Sequence, residues 1–504
     1  MDEETPLLNG RSTSSQSKEN NLKLFLAVFS AILGNFNAGY SLVYPSPVIQ
    51  YFTSSDADPR LRMDKNQAAW FSSIYSLGAV LGGLGTIFLN DKIGRKGSIM
   101  LSAVPSTIGY MLIGGAVEQW MLHLGRFLTG IASGISASSI PVYISETSCK
   151  ALRGSLGSCP QMTAVVGALV LYGLGSVLSW RWLAVFGSFP ALLMIVLLVF
   201  MPQSPRRLLS LGRVQKAEQS LRWLRGNDYN INNELRQIQD SINKQTKVSW
   251  TQLGTPQYYR PILITLMMRF MQQLSGITPI LIYLEPIFSN SKLPIKPRYE
   301  AIIVGAIRLV SVGFAAILMD KAGRKALLYT SSILMFGSTL TLAMVFHGTQ
   351  CPPSPTPPNT TALEYSLQTG IEHTFQASQP TTAGLVPLIS IIVFICGYAM
   401  GWGPITWLLM SEVLPLSVRG KASGLCVTVS WLTGFALTQG FTHLMDPNTL
   451  YIPFLFFAVV SVFSLLFNAV CIPETRKRSL EEIENFFRTG RTFTITNEDQ
   501  SVNS

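Results

Sequence analysis

Twelve runs of about 20 mostly apolar residues follow one another along this chain, near 24–48, 67–89, 98–118, 121–144, 156–178, 182–201, 261–288, 299–319, 326–347, 384–411, 421–444 and 450–472. A helix needs about 20 such residues to cross the hydrocarbon core of a bilayer, so each run has the length of a span. Backbone N–H and C=O groups find no water there, which leaves helices and closed barrels as the spanning structures, and these runs are too long and uniform for barrel strands. The sequence therefore predicts an all-α membrane protein with 12 transmembrane helices. Only 13% of its residues are charged, about half the roughly 25% of a soluble domain, as expected for a surface facing lipid.

The remaining charges set the orientation. With the N-terminus in the cytoplasm, 28 of the 38 Lys and Arg fall in inner segments and seven in outer loops, leaving Arg126, Arg269 and Arg308 inside spans. The positive-inside rule then places both termini in the cytoplasm. The net charge of +11 is thus topology, with no nucleic-acid partner implied. The six cysteines are scattered without metal-ligand spacing, so no metal, cofactor or disulfide framework is expected. No short apolar segment with a cleavage site precedes the first run, and the first span is expected to direct insertion.

The corners on the basic side repeat. Asp91-x-x-Gly94-Arg95-Lys96 after span 2 returns as Asp320-x-x-Gly323-Arg324-Lys325 after span 8. Ser145-Glu146 with Arg153-Gly154 returns as Ser411-Glu412 with Arg419-Gly420, and the Pro-x-x motif at Pro202 returns at Pro473. Two six-span halves in the same orientation rock about a site near the midplane, which is alternating access. The expected organisation is a cytoplasmic tail (1–23), a six-helix bundle (24–201), a cytoplasmic linker with amphipathic helices (202–260), a second bundle (261–472) with a long outer loop (348–382), and a C-terminal tail (473–504). Anchoring by positive charge explains the cations but not the repeated Glu–Arg spacing. Asp91, Arg95, Glu146, Arg153, Asp320, Arg324, Glu412 and Arg419 are therefore expected to form a cytoplasmic gate, with Arg95 meeting Glu146 and Arg324 meeting Glu412 as ion pairs between the halves.

At these residues the chain resembles the sugar porter branch of the major facilitator superfamily. The motifs are Gly125-Arg126 with Gly130, Pro141-x-Tyr143-x-x-Glu146, Gln272-Gln273-Leu274-Ser275-Gly276, Gly401-Trp402-Gly403-Pro404 and Pro473-Glu474-Thr475, in order over about 24–487. The Gly-Trp-Gly-Pro form, the placement of the glycosylation sequon and an acidic dileucine are similar to the class III facilitative hexose transporters. The resemblance implies the major facilitator fold of two pseudo-symmetric six-helix halves, a hexose substrate and no enzymatic activity. It also implies that Gln161, Gln272, Gln273 and Trp407 line the sugar site, where amides pair with hydroxyls and an aromatic face covers the C–H side of a pyranose. The chain departs from the pattern at Thr278, at Ala399, over Ser430-Trp431-Leu432-Thr433-Gly434, and at Arg308, which replaces an asparagine. Arg308 either faces the central cavity, donating to sugar hydroxyls or favouring an anionic substituent, or is a structural or snorkelling residue. Arg269, near the membrane edge of span 7, is expected to be structural or snorkelling.

Proton-coupled relatives resemble this chain but carry an Asp after the span 1 Gly-Tyr pair, where this sequence has Ser41. Downhill uniport is therefore expected, with a proton-coupled symporter and a non-transporting nutrient sensor of the same fold as the alternatives. Glu3-x-x-x-Leu7-Leu8 fits the acidic dileucine read by clathrin adaptors, and Asn359-Thr360-Thr361 is an N-glycosylation sequon in the outer loop. The expected location is the lysosomal and endosomal membrane, with cycling to the plasma membrane.

Overall fold

The computed structural model describes residues 22–149, 152–226, 231–243, 254–289, 295–348, 381–415, 418–446, 448–475, 478 and 480–489. Glu3, Leu7, Leu8 and Asn359 lie outside the described residues, as do the side chains of Arg153, Asp320 and Arg419. All regular elements among the described residues are helices. The first half comprises α1 (Leu22–Val43), α2 (Pro45–Thr53), α3 (Lys65–Lys92), α4 (Gly94–Gly114), α5 (Gln119–Thr147), α6 (Arg153–Gly175) and α7 (Trp180–Val199). Three short helices follow, α8 (Pro205–Ser210), α9 (Val214–Arg225) and α10 (Ile231–Asn243). The second half comprises α11 (Pro256–Leu274), α12 (Ile277–Ile282), α13 (Leu284–Ser289), α14 (Pro297–Ala322), α15 (Arg324–Gly348), α16 (Thr381–Met400), α17 (Pro404–Val413), α18 (Arg419–His443) and α19 (Tyr451–Cys471), with α20 (Leu480–Thr489) after it.

Among the described residues, ten segments are long and apolar enough to cross a membrane. The other two of the twelve runs fall short for physical reasons. Run 7 is broken at Gly276 into α11, α12 and α13. Run 11 forms the 25-residue α18, long enough to span, but its serines, threonines and Gln439 dilute its hydropathy. Run 10 also differs from a continuous span, because Gly401-Trp402-Gly403 separates α16 from α17.

Glycines decide how closely the helices approach. Gly78 and Gly82 on α3 face Gly130 and Gly134 on α5, and a Cβ added at any of the four would sit 2.1 to 2.2 Å from a backbone oxygen of the other helix. In lipid there is no hydrophobic drive between helices, so contact of this kind, a small-xxx-small pair on each partner, holds the bundle by packing. Gly39 and Gly167 do the same for α1 and α6. Apolar side chains such as Phe88, Val177, Trp182 and Phe200 project outward, as a lipid-facing surface requires.

In the linker, Leu208, Leu209 and Ala217 pack with Leu235, Ile238 and Ile242. Leu211 is exposed, because α8 ends at Ser210 and the chain turns there. The linker is tied to the first half by Arg225, which donates to the Thr147 carbonyl at 2.9 Å and pairs with Glu234 at 2.7 Å.

The α3–α5 contact is testable. Gly130→Ala should destabilise the protein by about 1–3 kcal/mol through overpacking, read as a lower melting temperature in detergent. Gly85→Ala, where nothing lies within 4 Å of the new Cβ, should leave it unchanged.

Candidate functional site

The two halves meet along α3 with α18 and α6 with α14, so the space between them is where a site near the middle of the bundle must lie. Two helix breaks interrupt the second half. At the first, Gly276 takes φ 87°, a left-handed conformation that only glycine adopts cheaply, and a Cβ there would strike the Phe457 ring at 2.3 Å. At the second, the chain between α16 and α17 leaves the Trp402 and Gly403 carbonyls outside the helical ladder.

The adjacent glutamines before Gly276 behave differently, because successive residues on a helix point about 100° apart. Gln273 turns toward α18, donating to Ser430 Oγ at 3.1 Å and accepting from Thr278 Oγ1 at 2.7 Å. Gly434 leaves room beside it, with Ser76 of the first half 3.9 Å from where a Cβ would stand. Trp431 lies edge-on to Tyr75 across the interface at 5.9 Å, and its Nε1 is buried without a hydrogen-bond partner. Gln272 instead points into the second half and is 1% exposed. Its Nε2 donates to Tyr398 Oη at 2.9 Å and to the Trp402 carbonyl at 2.8 Å, and its Oε1 accepts from Arg269. Gln272 is therefore a strut that satisfies carbonyls freed by the second break. In this conformation both the amide and the carbonyl of Gln272 are engaged within the protein.

Arg269 takes the structural one of its two expected roles. It is 3% exposed and lies 3.9 Å over the Trp407 ring, so it does not snorkel to a membrane edge. Trp407 is half-buried beside Ile262, Leu266 and Met410. With a guanidinium on one face, that ring has at most its other face for a sugar.

On the opposite wall, Gln161 of α6 is half-buried and makes no hydrogen bond with a described residue. Its neighbour Met162 packs with Leu309, Val312 and Ala399, which sets Gln161 and Arg308 at the same level of the α6–α14 contact. Arg308 is half-buried, and Tyr172 and Tyr398 are the titratable groups acting on it.

At the basic end, both expected ion pairs are formed, but within the halves. Arg95 meets Glu146 at 3.0 Å, and both belong to the first half. Arg324 meets Glu412 at 3.3 Å, and both belong to the second. The expectation of pairs between the halves is corrected: each turn of Gly-Arg-Lys folds back on its own bundle. A hydroxyl completes each clamp, Ser204 donating to Glu146 at 2.5 Å and Thr475 to Glu412 at 2.6 Å. The repeat extends to backbone contacts, Arg95 donating to the Asn90 carbonyl and Arg324 to that of Met319, both at 3.2 Å. The Asp91 carboxylate joins neither clamp. It borders a hollow of about 310 Å³ with Arg95, Arg206 and Arg207.

Among the described residues, hydrogen bonds joining the halves lie toward the far end. They are Lys65 to Asp446 at 2.5 Å, Ser73 to Gln439 at 2.7 Å, Tyr172 to the Leu281 carbonyl at 2.9 Å, and Arg298 to the Ser176 carbonyl at 2.8 Å. The Glu285 amide also donates to Ser46 Oγ at 3.2 Å. Lys65 and Asp446 are well exposed, so that pair contributes at most about 1 kcal/mol. The rings of Trp70 and Phe435, 5.7 Å apart, and of Tyr75 and Trp431 close the far end at least as firmly. Sequence reasoning missed these closing residues, and also Glu474, which accepts from the Arg324 and Lys325 amides at the start of α15. The recurrence of the Pro473 motif was the signal for Glu474; nothing in the sequence marks Lys65–Asp446.

The family profile described as "Sugar (and other) transporter" matches residues 23–487. The chain is 53% identical over 477 residues to facilitated glucose transporter member 6 of solute carrier family 2 from Homo sapiens, covering 94% of this chain and 92% of the relative. It is 38% identical to member 8 from Bos taurus, covering 92% and 94%. Among solved structures, the xylose transporter XylE from E. coli superposes with a TM-score of 0.72 at 23% identity, covering 92% of this chain and 99% of that one.

The clamps carry a stability prediction. Arg324→Ala should cost about 1–3 kcal/mol, between the surface and buried limits for ion pairs. In a double-mutant cycle with Glu412→Ala, melting temperatures in detergent should show the two losses coupled rather than additive.

Proposed function

This chain belongs to the sugar (and other) transporter family, and from that membership and the polar side chains gathered where its halves meet we infer that it carries a hexose such as glucose across a membrane by facilitated diffusion. The observation that carries the reading most directly is the identity with facilitated glucose transporters over nearly the whole chain. In the mechanism, sugar enters between the halves, pairs with Gln273 and Gln161, and the halves then rock so that one end closes as the other opens. Thr278 and Ser430 hold the Gln273 amide in place, so part of its binding geometry is set before sugar arrives. The Trp431 indole N–H, buried without a partner, adds a donor to that wall.

Uniport fits the environment of span 1. Ser41 Oγ pairs with Tyr110 Oη at 2.5 Å, and Arg126 donates to the Ser41 carbonyl. A carbonyl cannot gain or lose a proton near neutral pH, so this arginine has no titrating carboxylate through which a proton gradient would drive sugar.

The basic end is the cytoplasmic one in this reading, supported by the excess of Lys and Arg there. The clamps built on Arg95–Glu146 and Arg324–Glu412 keep each half rigid as the inner end opens, and Asp91, Arg153, Asp320 and Arg419 belong to the same cytoplasmic corner motifs in the sequence. The Glu3, Leu7, Leu8 signal would send the protein to endosomes and lysosomes through a clathrin adaptor, and Asn359 would carry a glycan on the outer side.

In proteoliposomes holding the purified full chain, labelled glucose should show counterflow, and a protonophore should leave its initial rate unchanged. Abolition by the protonophore at a fixed sugar gradient would contradict uniport, and absence of exchange with any hexose would favour a sensor. Gln273→Ala should raise the glucose KM about fivefold to thirtyfold, the loss expected from one or two hydrogen bonds of about 1 kcal/mol each.

A further inference from the structure

The three arginines within the spans are not equivalent. Arg126, 1% exposed, donates to the Ser41 and Phe71 carbonyls and lies 4.8 Å over the Tyr75 ring. Arg269 donates to Gln272 and covers Trp407. Arg308 has no such use: among the described residues it makes no hydrogen bond, no ion pair and no ring contact, and it is only half-buried.

Its position makes that vacancy costly. α14 runs Pro297–Ala322, so at 1.5 Å per residue Arg308 lies about 17 Å from one end and about 21 Å from the other, near the bilayer midplane. Too deep to snorkel, a charge there belongs in a watery cavity or against a partner. The next carboxylate on its own helix, Glu300, is eight residues away, about 12 Å along the axis. The two groups that act on Arg308, Tyr172 and Tyr398, are neutral phenols with roles elsewhere: Tyr172 donates to the Leu281 carbonyl at 2.9 Å, and Tyr398 accepts from Gln272 at 2.9 Å. Among the described residues, then, no carboxylate pairs with the Arg308 guanidinium at the level of Gln161.

We propose that Arg308 is an anion subsite of the central cleft and that the chain carries hexoses bearing a carboxylate, the hexuronates, as well as neutral hexoses. The inference rests on the hexose-transport reading above and names a substrate class for the same site. A guanidinium matches a carboxylate with two parallel N–H···O bonds. One arginine neutralises one negative charge, whereas a sugar phosphate carries about −1.5 to −2 and leaves charge unpaired near the midplane, which disfavours it.

The test uses proteoliposomes of the full chain with labelled glucose, glucuronate and glucose 6-phosphate, comparing the natural chain with Arg308→Gln and Arg308→Lys. Glucuronate should exchange, and its kcat/KM relative to that of glucose should fall about tenfold or more in Arg308→Gln, as loss of a charge-assisted hydrogen bond predicts. Arg308→Lys, which keeps the charge, should hold the ratio closer to that of the natural chain, which a purely structural role would not require. Glucose exchange without glucuronate exchange, an unchanged ratio in Arg308→Gln, or a preference for the phosphate would overturn the anion subsite alone. If no sugar exchanges, the transport reading falls and the subsite with it.

Discussion

Each half of the molecule is closed on itself by one interaction, an arginine held by a carboxylate and a hydroxyl at the basic end. Arg95, Glu146 and Ser204 form it in the first half, and Arg324, Glu412 and Thr475 form it in the second. Glu146 is 8% exposed and Arg95 19%, so these charges are too enclosed to be replaced cheaply by water, and each bundle corner stays folded whatever the other half does. The halves are then joined by contacts of another kind: rings, apolar side chains and hydrogen bonds toward the far end. Rigid bodies with a weaker seam between them are what alternating access requires.

The same economy of polar groups explains the middle of the molecule. A helix break inside a membrane frees carbonyls that no water reaches, and such breaks survive only where protein or a wet cavity satisfies them. The break at Gly401-Trp402-Gly403 frees two carbonyls that Gln272 from α11 takes up, while Arg269 holds Gln272 from the other side. Gly276, one helical turn on, lets the chain bend so that Gln273 faces α18 and the first half. Gln272 and Gln273 are neighbours in sequence with different partners because the helix turns them onto different faces.

That turn also marks the limit of what the sequence discloses. The spans were legible because lipid imposes a length, and the halves because the corner motifs recur in the same order with the same internal spacing. Legible too were the partners Arg95–Glu146 and Arg324–Glu412, since a repeated spacing implies a repeated contact. Hidden was the direction in which each side chain points. Nothing in Gln272-Gln273 says which amide meets the cleft, and Arg269 looks like an edge cation until Gln272 and the Trp407 ring are seen around it. That each corner pair staples one half already follows from the bounds of the bundles, since Arg95 and Glu146 both fall within 24–201 and Arg324 and Glu412 both within 261–472.

The central claim is that two internally clamped halves pivot about the cleft. It is tested most directly by spin-label distances measured with and without glucose in lipid. Labels at Ser54 and Asn448 report across the far end, labels at Ser145 and Ser411 across the basic end, and labels at Gly97 and Ser145 within the first half. The account predicts that sugar shifts the two distributions between the halves in opposite directions while the one within the first half stays fixed. A change confined to that intra-half distance, with both distances between the halves unaltered, would contradict it.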